Sequence, residues 1–256
     1  MKSTLLILLI PLIILISFSI VYRKNCESFN VENDWMSKFF DRVYVITIPD
    51  RLNNVNRMLK NLKIKGNIHN AVLKNDLNIN QLINKRQITY DNELNTGRIA
   101  CHLSHMQVLK KFLETNDKTC LIFEDDIDLE SLTSDYYYEK ITNFMKDVPK
   151  DWDILNMGMC WERCSLTTYI TENVSRGFEP LCRHSYAVTR KGAEIILKNA
   201  LPMPNKNGDK IIGSLIKNGM LICYTATPPI FKQNRDLFGS QLENYDELLP
   251  CKENEY

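Results

Sequence analysis

Residues 120–128 read CLIFEDDID, an apolar run that ends in four carboxylates within five residues. The short apolar lead-in predicts a buried strand of an α/β sheet, with the acids at the carboxyl end where the strand emerges. Open α/β sheets bind ligands at strand ends of this kind. The stretch therefore predicts both the fold class and the position of a functional site.

The four acids of this stretch are candidate metal ligands. Side chains alternate along a strand, so Glu124, Asp126 and Asp128 would share one side if the extended conformation persists, with Asp125 on the other. Carboxylates this close raise each other's pKa unless a cation lies among them, and hard oxygen ligands suit Mn²⁺ or Mg²⁺. The alternative, a solvated acidic turn after a core strand, stays open on this stretch alone.

The chain of 256 residues begins with an apolar run at 4–22, which ends at Arg23 and Lys24. This run is long enough to cross a bilayer, and no small-residue cleavage site follows it, which favours a retained signal anchor. The flanking charges oppose a carboxyl-terminal domain on the non-cytosolic side, but they do not decide the orientation. We expect a single-pass membrane protein whose folded domain is lumenal or otherwise non-cytosolic.

The rest of the chain divides into a polar stem at 23–40, one domain at 41–241 and a C-terminal tail at 242–256. A domain of roughly two hundred residues is ample for a single α/β core. The 32 basic and 31 acidic residues give a formal net charge of +1. No basic stripe is visible, which argues against a nucleic-acid partner.

The eight cysteines differ in their sequence context. Three lie in apolar segments and are predicted to be buried thiols: Cys101, Cys120 and Cys223. Five lie in polar or loop-like segments, where some would pair in an oxidising compartment: Cys26, Cys160, Cys164, Cys182 and Cys251. The Cys160-x-x-x-Cys164 spacing leaves zinc open as an alternative, although no second ligand pair completes it.

Periodicity predicts alternating strands and helices in the domain. A strand at 42–48 precedes a helix at 52–62, and the clearest helix spans 96–113. The same signals predict a short strand at 70–73, an amphipathic turn at 77–83, helices at 131–145, 190–197 and 210–218, and strands at 152–158, 184–189 and 221–225. Residues 159–181, with the sequon at Asn173, either line a substrate site or form a stapled surface loop.

Further candidate residues lie near the predicted ligand-binding edge. Arg51 follows the first strand, where it either meets a phosphate or a ribose or caps a helix start. Gly97 opens the helix at 96–113, and a glycine there lets backbone N–H groups approach an anion. His102 and His105 can face the same way, but no third metal ligand lies nearby in the sequence. Asp209 precedes the helix at 210–218 as a natural N-cap.

Together these pieces resemble glycosyltransferase family 25, which includes lipooligosaccharide galactosyltransferases and collagen hydroxylysine galactosyltransferases. No single matching element is specific for the family, but the order of five or six of them along residues 42–241 is specific. The elements are 46–48 (ITI) with Arg51, 97–105 (GRIACHLSH), 123–126 (FEDD), 152–155 (WDIL) with Gly158, 185–190 (SYAVTR) with Gly192 and Ala193, Asp209, and Gln233 with Ser240.

The resemblance implies a nucleotide-diphospho-sugar transferase domain of the GT-A-like type, with a mixed, mostly parallel sheet. The apolar run at 4–22 would precede this domain as one transmembrane helix. It implies a UDP-sugar donor such as UDP-galactose, Mn²⁺, and transfer with inversion to a hydroxyl of a glycan or of hydroxylysine. A metal on the carboxylates would stabilise the diphosphate leaving group, and a separate carboxylate would deprotonate the acceptor hydroxyl.

Carried onto this chain, the family pattern assigns three groups of residues. The expected general base is Asp209, with the helix N-cap as its alternative role. The expected metal ligands are Glu124, Asp125, Asp126 and Asp128. The expected donor-binding residues are Arg51, Gly97, Arg98, His102, Ser104 and Gln233.

Three positions depart from the family pattern: Thr47 replaces an asparagine, Arg98 an acid and Ala100 a glycine. They motivate an alternative function, a catalytically inactive membrane protein of the same fold that binds carbohydrate or nucleotide sugar. A third class, a membrane-anchored metal-dependent phosphohydrolase, would also use clustered acids at a strand end. It would need further acidic or histidine ligands that the sequence does not show.

Overall fold

The computed structural model describes residues 34–129 and 132–234. Strands in this part of the chain are β1 (Arg42–Thr47), β2 (Asn67–Asn70), β3 (Thr119–Glu124), β4 (Ile127–Asp128), β5 (Ile154–Asn156), β6 (Thr168–Tyr169), β7 (Val174–Arg176), β8 (Ser185–Thr189), β9 (Cys223–Ala226) and β10 (Lys232–Gln233). Eight of them form one sheet in the order β2-β1-β3-β8-β5-β9-β7-β6, and β4 pairs with β10 separately. The acids after β3 therefore lie at the end of a strand inside the sheet.

The sheet is mixed, as the sequence predicts, but parallel pairs do not predominate. Strands β2, β1 and β3 are parallel neighbours, and so are β5 and β9. Strand β8 runs against both β3 and β5, and β7 runs against both β9 and β6. The expectation of a mostly parallel sheet is thus only partly correct, because periodicity within a strand carries no information about its direction.

Helices cover both faces of the sheet. They are α1 (Leu52–Leu62), α2 (Ile79–Asn84), α3 (Thr96–Leu113), α4 (Ser134–Asp147), α5 (Arg190–Ala200) and α6 (Gly208–Lys217). One face packs on α3, α5 and α6, and the other packs on α1 and α4. Strand β3 serves both cores, since Cys120 and Ile122 face α3 while Leu121 and Phe123 face the opposite side. The predicted α/β class is confirmed.

The excursion between β5 and β8 is a stapled hairpin. Strand β6 pairs with β7, and a disulfide joins Cys160 to Cys182. The zinc alternative for the Cys160-x-x-x-Cys164 spacing is wrong, because the sulfur of Cys160 is bonded to that of Cys182. The side-chain amide nitrogen of Asn173 donates to Asp147 Oδ2 at 3.0 Å, and Ser175 is buried. The sequon therefore lies within the packed hairpin.

The folded part of the chain begins before residue 41. Trp35 and Phe40 are buried in the core on the α1 and α4 side. The indole N–H of Trp35 donates to Leu62 O at 2.7 Å and to Ser134 Oγ at 3.0 Å. The end of the predicted stem at 23–40 thus packs on the domain.

The predicted anchor at 4–22, the tail at 242–256, Ser240 and two of the loop cysteines, Cys26 and Cys251, lie outside the described residues. Across 34–129 and 132–234, no helix has the length and apolar character that a membrane crossing requires.

Replacing Trp35 tests where the domain begins. We expect Trp35→Ala to lower the free energy of unfolding by about 3–5 kcal/mol, because loss of the buried indole leaves a cavity and removes its hydrogen bonds to Leu62 O and Ser134 Oγ. Leu73→Ala, at a leucine that is 37% exposed, is the control and should stay within about 0.5 kcal/mol of the wild type. Denaturant unfolding followed by circular dichroism measures both. Equal, small effects would show that Trp35 is not part of the domain core.

Candidate functional site

Strand β3 ends by sending successive acids to opposite faces of the sheet. Glu124 continues the side of Cys120 and Ile122 and reaches α3, where it meets His105. Asp125 continues the opposite side and reaches the loop between β1 and α1. The chain then turns, so the predicted alternation holds as far as Asp125 and ends there.

Asp125 is held by the loop between β1 and α1. Its Oδ1 lies 2.8 Å from Arg51 Nη1, and its Oδ2 accepts a hydrogen bond from Ile48 N at 3.1 Å. Its backbone oxygen accepts from Asn54 Nδ2 at 2.9 Å. A predicted metal ligand, Asp125, and a predicted donor-binding residue, Arg51, therefore bind each other in a mostly buried ion pair.

Glu124 and Asp126 come together next to Gln233. The amide nitrogen of Gln233 donates to Asp126 Oδ2 at 3.0 Å and lies 3.4 Å from Glu124 Oε2. The pairing of β10 with β4 places the glutamine there, and Asp128 on β4 is the register partner of Lys232. The structure thus brings together two of the four predicted acids and the predicted glutamine.

Burial sets the charge of this acid pair. Burial and, after it, the charge of the neighbouring Glu124 together raise the pKa of Asp126 to about 7. Burial also raises the pKa of Glu124. Asp126 Oδ1 is buried and accepts no hydrogen bond within the described part of the chain. Two adjoining carboxylates with an unsatisfied oxygen fit a divalent cation that prefers oxygen ligands, since the cation would offset their repulsion.

Helix α3 supplies His105 and Cys101 to the same site. His105 Nε2 lies 2.9 Å from Glu124 Oε1, and its Nδ1 lies 3.2 Å from the hydroxyl of Tyr186. Cys101 Sγ is 3.9 Å from the same glutamate oxygen. Burial lowers the pKa of His105 well below its ordinary value, so the ring is neutral at neutral pH. No neighbour of this histidine was predicted from the sequence, and the structure places Glu124 and Tyr186 beside it.

His102 and Ser104 bind the protein itself. His102 Nε2 lies 2.9 Å from Ala200 O at the end of α5, and burial lowers the pKa of this ring to about 3. Ser104 Oγ donates to Ala100 O at 2.7 Å and accepts from Val72 N at 2.9 Å. Both side chains are buried in the packing around α3, and neither contact supports a role in donor binding.

Gly97 and Arg98 lie in the first turn of α3. The helix is capped by the side chain of Asn95, which accepts from Arg98 N at 3.0 Å. Gly97 is buried. Arg98 Nη1 donates to Asn207 Oδ1 at 3.2 Å, so this arginine joins the start of α3 to the residue that precedes α6.

Asp209 is the second residue of α6 and not its N-cap. Helix α6 begins at Gly208, and the cap residue is Asn207. The expectation of a cap at Asp209 is therefore wrong, because the helix starts two residues earlier than its apolar periodicity indicates. Asp209 Oδ1 accepts from Lys210 N at 2.8 Å.

Asp209 lies near the acid pair. Burial is the main reason that the pKa values of Glu124 and of the Cys101 thiol are raised, and the charge of Asp209 adds to both shifts. Asp209 also lines a cavity of about 10 Å³ together with Arg183 and Tyr186. The predicted base thus lies close enough to Glu124, one of the predicted metal ligands, for their charges to interact.

Arg183 is the site residue that the sequence did not reveal. It is 9% exposed, and its Nη2 lies 3.9 Å from Cys101 Sγ. No local pattern marks it, because its neighbours come from α3, 82 residues away, and from α6. Cys101 and His105, by contrast, are four residues apart on one helix. This spacing predicts that both lie on the same helix face, so a contact of one with the acids would bring the other close to them.

The sequence of this chain is similar to known proteins. The family model described as "Glycosyltransferase family 25 (LPS biosynthesis protein)" matches residues 40–212, more than half of the chain. The chain belongs to glycosyltransferase family 25. The resemblance inferred from the sequence is thus confirmed, and the matched region contains Glu124, Asp126 and Asp209 but ends before Gln233.

Two similar proteins are named procollagen galactosyltransferases. Procollagen galactosyltransferase 1-A of Xenopus laevis is 27% identical over 133 residues, which is 46% of this chain and 21% of the relative. Procollagen galactosyltransferase 1 of Danio rerio is 25% identical over 133 residues, with the same shares of each chain. The matched region thus spans about a fifth of the length of these relatives.

Substitution by asparagine is expected to change the stability of the fold in opposite directions at Asp126 and at Asp125. The folded pKa of Asp126, about 7, exceeds its ordinary value of 3.8, so the wild-type fold loses stability as pH rises between these values. Asp126→Asn should therefore stabilise the metal-free protein above about pH 7, with the gain vanishing below about pH 4. Asp125→Asn should instead cost about 3 kcal/mol, since Arg51 would remain buried without its counter-charge.

Denaturant unfolding in a chelator at about pH 4 and about pH 8 measures both effects. Asp91→Asn, at an exposed aspartate before α3, is the control and should be silent at both pH values. A lower stability of Asp126→Asn than of the wild type at the higher pH would contradict this description of the acid pair.

Proposed function

We propose that this chain is a metal-dependent glycosyltransferase that transfers galactose from UDP-galactose, with inversion, to a hydroxyl of a glycan or of hydroxylysine. The observation that carries the proposal is the half-buried pair Glu124 and Asp126 beside Gln233, at the carboxyl end of β3 in a family-25 chain. Parallel neighbours β1 and β3 end at this edge, which is where open α/β sheets bind ligands. The names of the two relatives support galactose as the sugar.

Glu124 and Asp126 are the proposed ligands of Mn²⁺, with Asp128 further along β4 as a predicted third. Mn²⁺ bound there would stabilise the negative charge on the departing diphosphate. The amide of Gln233 holds one oxygen of each acid, and His105 holds the other oxygen of Glu124. These neutral contacts orient the carboxylates without cancelling their charge.

Asp125 and Arg51 are proposed to act through position and not through direct contact with the metal or the donor. Their ion pair, with the hydrogen bond from Ile48 N, joins the end of β3 to the loop after β1. Asp125 is a poor metal ligand, because the Arg51 cation already neutralises its charge and a metal ion would have to displace that cation. Asp125 therefore sets the turn that presents Asp126.

Asp209 is the proposed general base for the acceptor hydroxyl. It is half-buried in the first turn of α6, and the hydrogen bond from Lys210 N uses only its Oδ1. Its Oδ2 makes no hydrogen bond within residues 34–129 and 132–234, and so can receive the acceptor's proton. A positioned carboxylate of this kind typically contributes about 10²–10⁴-fold to the rate.

The competing function is an inactive membrane protein that binds carbohydrate or nucleotide sugar. Thr47 and Ala100 are buried inside β1 and α3, and Arg98 binds Asn207. These departures are accommodated by packing and by a loop contact, and both Glu124 and Asp126 are retained. This favours turnover, and the membrane anchor at 4–22 remains part of the proposal. UDP release in the presence of mixed acceptors tests the function, since a binding protein releases none.

Mn²⁺-dependent donor binding tests the metal ligands. We expect titration calorimetry to show tighter UDP-galactose binding with Mn²⁺ than with a chelator. Glu124→Gln and Asp126→Asn should each reduce this Mn²⁺-dependent gain by at least about tenfold, because each removes a charged ligand. Asp91→Asn should retain the gain. An undiminished gain in both site variants would show that the metal binds elsewhere.

Kinetics of Asp209→Asn tests the base. The variant should lower kcat by about 10²–10⁴-fold with the donor Kd unchanged, because asparagine keeps the size of the side chain but cannot take a proton. If Asp209 only stabilises the start of α6, the variant should keep its rate and lose about 0.3–1 kcal/mol of stability. A near wild-type kcat would remove Asp209 from the mechanism.

A further inference from the structure

Arg183 is a buried cation without an anion against it. Its side chain forms no salt bridge with any carboxylate of residues 34–129 and 132–234, and Nη1 is buried without a hydrogen-bond partner there. Its polar contact is the one between Nη2 and Cys101 Sγ at 3.9 Å. A buried charge is costly unless it is paired, so this side chain requires a counter-charge that the described protein does not supply.

The Arg183 guanidinium and the Glu124 carboxylate both lie close to one thiol, that of Cys101. Cys101 Sγ is 3.9 Å from Arg183 Nη2 and 3.9 Å from Glu124 Oε1. The two charged groups are thus no more than about 8 Å apart, twice the distance to the thiol, yet they do not touch. The backbone explains this proximity, because Glu124 N donates to His184 O, next in the chain to Arg183, at 2.9 Å.

The start of α6 is shaped to admit the guanidinium. A Cβ at Gly208 would lie 2.4 Å from Arg183 Nη2 and 2.6 Å from His102 Nδ1, so a larger residue would displace the arginine. The cavity that Arg183 and Asp209 line has a volume of about 10 Å³. That is room for about one water-sized atom, such as a single oxygen of a larger group that approaches from outside.

A metal ion on Glu124 and Asp126 would lie near the Arg183 cation, since Glu124 Oε1 and Arg183 Nη2 are both 3.9 Å from Cys101 Sγ. Two cations repel each other unless an anion lies between them. The planar fork of arginine suits phosphate oxygens, and the proposed donor carries a diphosphate, whereas an acceptor hydroxyl is neutral. We propose, on the basis of the proposed function, that Arg183 binds a phosphate oxygen of the nucleotide-sugar diphosphate on the side away from the metal ligands.

Binding of inorganic diphosphate to the full chain in Mn²⁺ tests this role without depending on the nucleotide or the sugar. We expect Arg183→Met to weaken the Kd at least about tenfold, with Arg183→Lys in between, because lysine keeps the charge but loses the fork. Arg176→Met is the matched control. Arg176 on β7 is partly buried, and its guanidinium donates to the hydroxyl of Tyr224 on the neighbouring strand β9. It has no contact with the acids after β3, so its loss should leave the Kd unchanged. Melting temperatures without ligand check that each variant is folded.

Gly208→Ala is a second variant that keeps the charge of Arg183 and displaces its guanidinium, so it should also weaken diphosphate binding. A wild-type Kd in Arg183→Met, an equal loss in the Arg176→Met control, or no diphosphate binding by the wild type would overturn the proposal. Sugar transfer by the wild type is scored separately. If the wild type transfers no sugar while Arg183→Met still loses diphosphate, the proposed function fails and the anion site stands.

Discussion

The ion pair between Asp125 and Arg51 is the constraint on which the site depends. Because Asp125 is drawn to the loop between β1 and α1, the chain must turn directly after β3. That turn brings Asp126 back beside Glu124 and lets β4 pair with β10, which delivers Gln233. One acid of the cluster is thus used for structure, and this use aligns its two neighbours for function.

The site is also a balance of buried charge. Glu124, Asp126 and Asp209 are negative groups near one another, and burial raises the pKa of the first two. Neutral neighbours, His105 and Gln233, orient these acids without neutralising them. An added cation would therefore stabilise the charged form of this region, because Arg183 forms no salt bridge with these acids. A divalent ion with a bound diphosphate would complete the balance on both sides.

The sequence predicted the elements around the site well and their long-range contacts poorly. The period-2 alternation of β3 correctly separated Asp125 from Glu124, and the helical periodicity of residues 96–113 matches α3. The two-residue strands β4 and β10 are too short to show a periodic pattern, so only the family resemblance indicated that Gln233 belongs to the site. Arg183 left no signal at all, since its environment is assembled from α3 and α6 far along the chain. The start of α6 was misplaced because Gly208 carries no side chain to mark the apolar face.

The most direct test of the central claim is anomalous diffraction from crystals grown with Mn²⁺ and UDP. The account predicts a manganese peak coordinated by the carboxylates of Glu124 and Asp126, with Asp125 still paired to Arg51. A manganese ion bound to Asp125 in place of Arg51 would contradict it. So would a manganese ion bound away from the end of β3, with Glu124 still hydrogen-bonded to His105 and Gln233.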